Sequence, residues 1–134
     1  MVDSPFRGGP RTLADDIVPA LHEGAAAAGR RAPRVVAGLP MALADPEQAR
    51  AAARTMFARH GTLANYQKVF EREGVQSAAD LAIVGTESDL ERQLRRYADA
   101  GVTELWAAVF PVGDDSEASM DRTRAVLADL RATV

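Results

Sequence analysis

The chain has 134 residues, 47% of them apolar and 26% charged, which suits one domain built around a single buried core. Its formal net charge is −3, with Arg scattered among Asp and Glu, so the basic stripe of a nucleic-acid binder is missing. It contains no Cys, which excludes disulfides, thiolate metal sites, iron–sulfur clusters and a Cys nucleophile.

The opening "MVDSPFRGGPRT" lacks the apolar region of a signal peptide, and no apolar run approaches the ~18 residues of a membrane span. A cytoplasmic protein without membrane or nucleic-acid partners is therefore expected. Residues 1–11 carry Pro5, Gly8, Gly9 and Pro10 without periodicity and read as a flexible loop, leaving 12–134 as the domain. Thr12 and Asp15 have the spacing of a capping box, which predicts a helix to about Gly29. Leu13, Ile17 and Leu21 form its apolar stripe, and Pro19 should kink it.

Residues 34–44, "RVVAGLPMALA", are apolar almost throughout, as in a strand covered on both faces. Pro40 cannot donate to a ladder, so a bulge or an unpaired position is expected there. Asp45-Pro46-Glu47-Gln48 is a clear helix start, with a stop expected at Gly61. A further helix is predicted over 63–72, ending at Gly74, and Ser77 to Asp80 is another cap. Residues 81–84 are too few for periodicity to separate a strand from a helical turn.

Thr86 and Asp89 cap a helix with Leu90, Leu94 and Tyr97 or Ala98 inward, ending at Gly101, and Glu91 to Arg95 is a favourable i,i+4 pair. Residues 103–110 are the second strand and include Trp106, the sole Trp. Acidic residues Asp114, Asp115 and Glu117 precede a last helix over 120–132, with Val126, Leu127 and Leu130 on its apolar side. Two strands covered by helices do not complete a parallel sheet, and their open edges invite association.

Read from "GGPRTLADDIVPAL" through "PRVVAGLPMALADPEQARAAA" and "YQKVFEREG" to "ADLAIVGTESDLERQLRRYADAGVTELWAAVF", the chain resembles the C-terminal portion of a luciferase-like monooxygenase-family protein. It is most similar to the flavin- and coenzyme F420-dependent oxidoreductases of that family, and the similarity covers about residues 8–130. The resemblance implies a (β/α)8 barrel of which only the last two strands and their helices are present, 34–44 as the seventh strand and 103–110 as the eighth. It implies FMN or F420 as cofactor, a small organic substrate, and hydride transfer or monooxygenation, with little activity for this piece alone. A complementary barrel chain is the implied partner, whereas a homodimer would follow from the open strand edges.

His22 and His60 have no ligand at i+3 or i+4, so no metal is expected, and no Ser lies in a G-x-S-x-G motif. No catalytic residue is assigned. Gly9 and Arg11 are candidates at a helix start where free amides favour an anion, although a cap and a turn are the simpler account of them. Gly85 and Thr86 are explained by the capping box. On the barrel template Trp106 and Phe110 are candidates to wall a cofactor or substrate pocket, against the alternative that they are packed strand side chains. The alternative function is a non-catalytic α/β domain that self-associates, or binds a protein partner, through its open strand edges.

Overall fold

The computed structural model describes residues 8–132, and of His60 and Gly61 the backbone alone. Most of the expected N-terminal loop, residues 1–7, therefore lies outside the described residues. The first helix, α1, starts at Pro10 rather than Thr12 and runs through 10–27 in three segments, Pro10–Thr12, Leu13–Ile17 and Val18–Ala27. The expected Thr12 capping box does not form, because Thr12 already lies inside the helix. The middle segment is π-helical. A π turn takes one extra residue per hydrogen-bonded ring, so it absorbs the donor missing at Pro19 and rotates the C-terminal part of the helix. The buried stripe accordingly passes from Leu13 to Val18, and Leu21, expected inside, is 41% exposed.

Strand β1 is Val36–Leu43. It leads into α2, Pro46–Met56, whose Asp45 cap accepts from the Gln48 amide at 3.1 Å. That helix ends before Gly61 and passes into a 3₁₀ turn, Ala58–Thr62. Helix α3, Ala64–Glu73, stops at Gly74, which takes the left-handed conformation (φ 72°) that lets the chain reverse. The undecided residues 81–84 prove to be both alternatives: a capped 3₁₀ turn, Ala78–Leu81, runs directly into strand β2, Ile83–Gly85. Helix α4, Glu87–Asp99, then carries the Thr86–Asp89 capping box. Strand β3, Glu104–Val109, and helix α5, Ser116–Leu130, complete the fold. The last helix begins four residues before the expected 120, because Asp115 caps it by accepting from the Ala118 amide at 3.0 Å.

Among the described residues the sheet therefore has three strands rather than two, all parallel, in the order β2-β1-β3. The β1·β3 register runs unbroken from Val36↔Glu104 to Met41↔Val109, with no bulge at Pro40. Val35 O accepts from Glu104 N and Met41 O from Phe110 N, so odd residues of β1 address β3 and even residues turn away from it. Pro40 thus points its missing donor toward the other side, where β2 begins to pair only at Met41.

Alternation also separates the two faces of the sheet. Leu39, Met41 and Ile83 pack against Leu13 and Val18 of α1, Leu90, Leu94 and Tyr97 of α4, and Leu130 of α5 in the main core. The opposite face carries Ala42, Val84 and Phe110 at its C-terminal end, covered by Ala49 and Ala53 of α2 and Ala79 of the 3₁₀ turn. Farther down that face Val36 and Trp106 are exposed, and Glu104, also exposed, is met by the Arg34 guanidinium at 2.9 Å. The N-terminal half of strand β3 is thus exposed, Leu105 on the helix side included at 39%, and only its C-terminal half is partly covered, where its apolar run predicts cover on both faces. Periodicity reports apolarity and not what stands opposite, which is why the two differ.

Candidate functional site

The strand ends and the uncovered face meet around β3. At the C-terminal edge of the sheet Leu43, Gly85 and Val109 each give way to the capped start of a helix, with caps at Asp45, Thr86 and Asp115. The three helix N-termini, with their positive dipole ends, therefore gather at one edge. Each carries its own anionic or hydroxyl cap. At α4 the Asp89 carboxylate accepts from Thr86 N and Thr86 Oγ1, both at 2.9 Å, and from Arg92 Nη2 at 2.6 Å. The Thr86 amide, with Arg92 and the Thr86 hydroxyl adding to it, holds Asp89 below the usual carboxylate range.

Two polar side chains of α5 knit this edge together. Ser119 Oγ accepts from the Val112 amide at 3.0 Å, and Thr123 Oγ1 accepts from the Leu43 amide at 3.0 Å while donating to Ser119 O at 3.1 Å. Thr123 is 0% exposed and Ser119 1%. Their hydroxyls give acceptors to the Leu43 amide at the end of β1 and to the Val112 amide after β3. Sequence reasoning passed over both. The available signal was their spacing, since 119, 123, 126 and 130 lie on one stripe of α5 and its polar members had to have partners.

Trp106 is 51% exposed on the uncovered face, beside Gly38 of β1, which presents no side chain there. Phe110 is 3% exposed and packs edge-on against Phe57, with ring centroids 5.9 Å apart and planes at 87°. The two aromatic candidates share a face but not an environment: the indole is available to a ligand and the phenyl ring belongs to the core under α2.

Gly9 and Arg11 lie apart from this edge, at the start of α1. There Glu73, from the end of α3, supplies an anion from within the chain. Its carboxylate accepts from Arg11 N at 3.2 Å, Thr12 N at 2.7 Å and Thr12 Oγ1 at 2.6 Å. Asp16 and Arg72 form an ion pair between the same two helices. Residues 111–115 form the turn into α5, with Asp114 exposed and Asp115 used as the cap. His22 is exposed, and the His60 side chain lies outside the described residues. Among the described residues no group of three or more His, Asp or Glu side chains is placed to hold a metal ion. No helix among them is long and apolar enough to cross a membrane.

No known protein-family pattern matches the chain, and no curated protein matches it in sequence. Among solved structures it is similar to an F420-dependent secondary alcohol dehydrogenase in complex with an F420-acetone adduct. The TM-score is 0.61 at 18% sequence identity, over 92% of this chain and 41% of the dehydrogenase. The chain is thus a mixed α/β unit that matches a partial fragment of a TIM-barrel protein, and it spans less than half the length of that relative.

Proposed function

We propose that the chain is the C-terminal sector of a luciferase-like, F420- or FMN-dependent oxidoreductase of the cytoplasm. Its uncovered sheet face is the wall that looks into the barrel. One observation carries this reading: one face of the sheet bears the main core under helices, with Leu105 its one exposed strand residue among those described, while the N-terminal half of the other face exposes Trp106 and Val36. A free-standing parallel sheet covers both faces, whereas a barrel strand turns one face to the helices and one to the lumen. The likeness to an F420-dependent dehydrogenase supports the same reading at the level of fold.

The residues present fit one part of such a cofactor. A half-exposed indole beside the bare backbone of Gly38 offers a flat apolar surface for a tricyclic ring. The amides of Arg11 and Thr12 do not offer a phosphate site, because Glu73 occupies them. The flavin or deazaflavin, when bound, supplies hydride chemistry, and this chain's part is to wall the ring and keep water from it. The residues that act on the small organic substrate belong to a complementary barrel segment, so the chain alone binds without turning over.

The test is a titration of the folded chain, checked by circular dichroism, with F420 and with oxidised FMN, reading quenching of Trp106 emission. Saturable quenching by either, with no turnover, is expected. A folded chain whose Trp106 emission stays unchanged at millimolar cofactor would leave only the shared fold.

A second reading, a non-catalytic domain that pairs through its strand edges, is favoured by β3 itself. Its position at the edge of the sheet leaves the outward backbone groups of Leu105, Ala107 and Val109 without a neighbouring strand among the described residues.

A further inference from the structure

Tyr97 is 4% exposed and its ring belongs to the main core, yet its hydroxyl has no hydrogen-bond partner among the described residues. A buried phenol without a partner is unusual, because a lost hydrogen bond to water is not repaid by packing. The residue lines a cavity of about 90 Å³ between α1, the end of α3 and α4. Glu73 and Arg96, the two charged groups whose fields act on the Tyr97 phenol, line the same cavity.

The other polar lining groups have unused capacity of one kind. Gln93 directs both donors of its amide elsewhere, to Val84 O and Asp89 O at 2.9 Å each, which leaves its Oε1 as an acceptor. Asp80 uses Oδ2 for Gln76 N, Ser77 N and Ser77 Oγ, which leaves Oδ1. Glu73 Oε2 accepts from Arg11 N, and a carboxylate oxygen has room for a second donor. The cavity therefore presents several acceptors, the donor-only guanidinium of Arg96, and a phenol that must itself donate. A guest that suits it donates more than once and accepts from Tyr97 Oη. Water does both, and a volume of this size corresponds to about three water molecules at their share of liquid volume.

We infer that this cavity is an ordered-water site, in which bound water accepts from the Tyr97 hydroxyl and donates to the acidic groups around it. The water links α4 to the carboxylate that caps α1, so it ties the N-terminal helix to the rest of the core. Burial, with the nearby Glu73 charge adding to it, raises the Tyr97 pKa, so the phenol keeps the proton it donates.

The sign of one substitution tests this. Tyr97→Phe removes the hydroxyl and keeps the ring. If the hydroxyl is satisfied by bound water, the variant melts several degrees below the native chain; if the cavity is dry, removing an unsatisfied group leaves the melting temperature equal or higher. An equal or higher value overturns the inference. A second measurement needs no variant: water–protein cross-relaxation in the native chain should show long-lived water beside the ring protons of Tyr97, and its absence there equally overturns the inference.

Discussion

Gly9 has no side chain because the Glu73 carboxylate needs the space: a Cβ built there would lie 2.5 Å from it. Its φ of −86° is open to any residue, so the requirement is one of approach and not of backbone strain. Glu73 ends in a flexible side chain, so in Gly9→Ala it swings away and abandons the amides of Arg11 and Thr12. Gly9→Ala and Glu73→Ala should each cost ~1 kcal/mol of stability in urea unfolding, the usual worth of a helix cap. The double variant should cost little more than either alone, because both remove one contact. Asp89 belongs to the same scale. Its folded pKa lies below the reference value of 3.8, so its contribution is fully present above that pH and is lost as pH falls through the folded value. Asp89→Asn should therefore lower the melting temperature at neutral pH, and the gap to the native chain should close on acidification below 3.8.

At the scale of elements the last helix decides how the sheet ends. Thr123→Val keeps the side-chain shape and leaves the Leu43 amide without its acceptor, so urea unfolding should show a loss of about 1–3 kcal/mol. Thr123→Ser should recover most of it, since the acceptor returns. Such links between distant segments are what local sequence patterns miss. The caps at Asp45 and Thr86 were legible because each cap lies three residues before the amide that donates to it, and β1 and β3 were legible from their apolar runs. Strand β2 was not, because three residues set no period, and its pairing with Met41–Leu43 is decided 42 positions away in the register Met41↔Ile83. Leu21 departs from its expected place for a different reason: a helical stripe assumes one period, and the π segment breaks it.

At the scale of the whole molecule the two functional readings use different parts of β3, which allows them to be separated. The cofactor reading needs the side-chain face of Trp106, and the pairing reading needs the outer backbone edge. Trp106→Lys should leave the helix-side core and the circular dichroism spectrum unchanged while abolishing binding of FMN, followed by flavin fluorescence anisotropy. The edge is reached by a substitution that spares the face. Phe110 N and Glu104 N donate to β1, so even residues of β3 hold the ladder and the amide of Ala107 points away from it. Proline at that position removes no ladder bond, and an edge strand tolerates it. Ala107→Pro should therefore fold with three strands intact and remain monomeric in sedimentation velocity at every concentration. If the native chain associates as concentration rises and Ala107→Pro does not, the open edge is the interface and pairing is an activity of this molecule. If the native chain is monomeric throughout, the edge alone does not drive association, and the uncovered face with Trp106 remains the surface through which the chain acts.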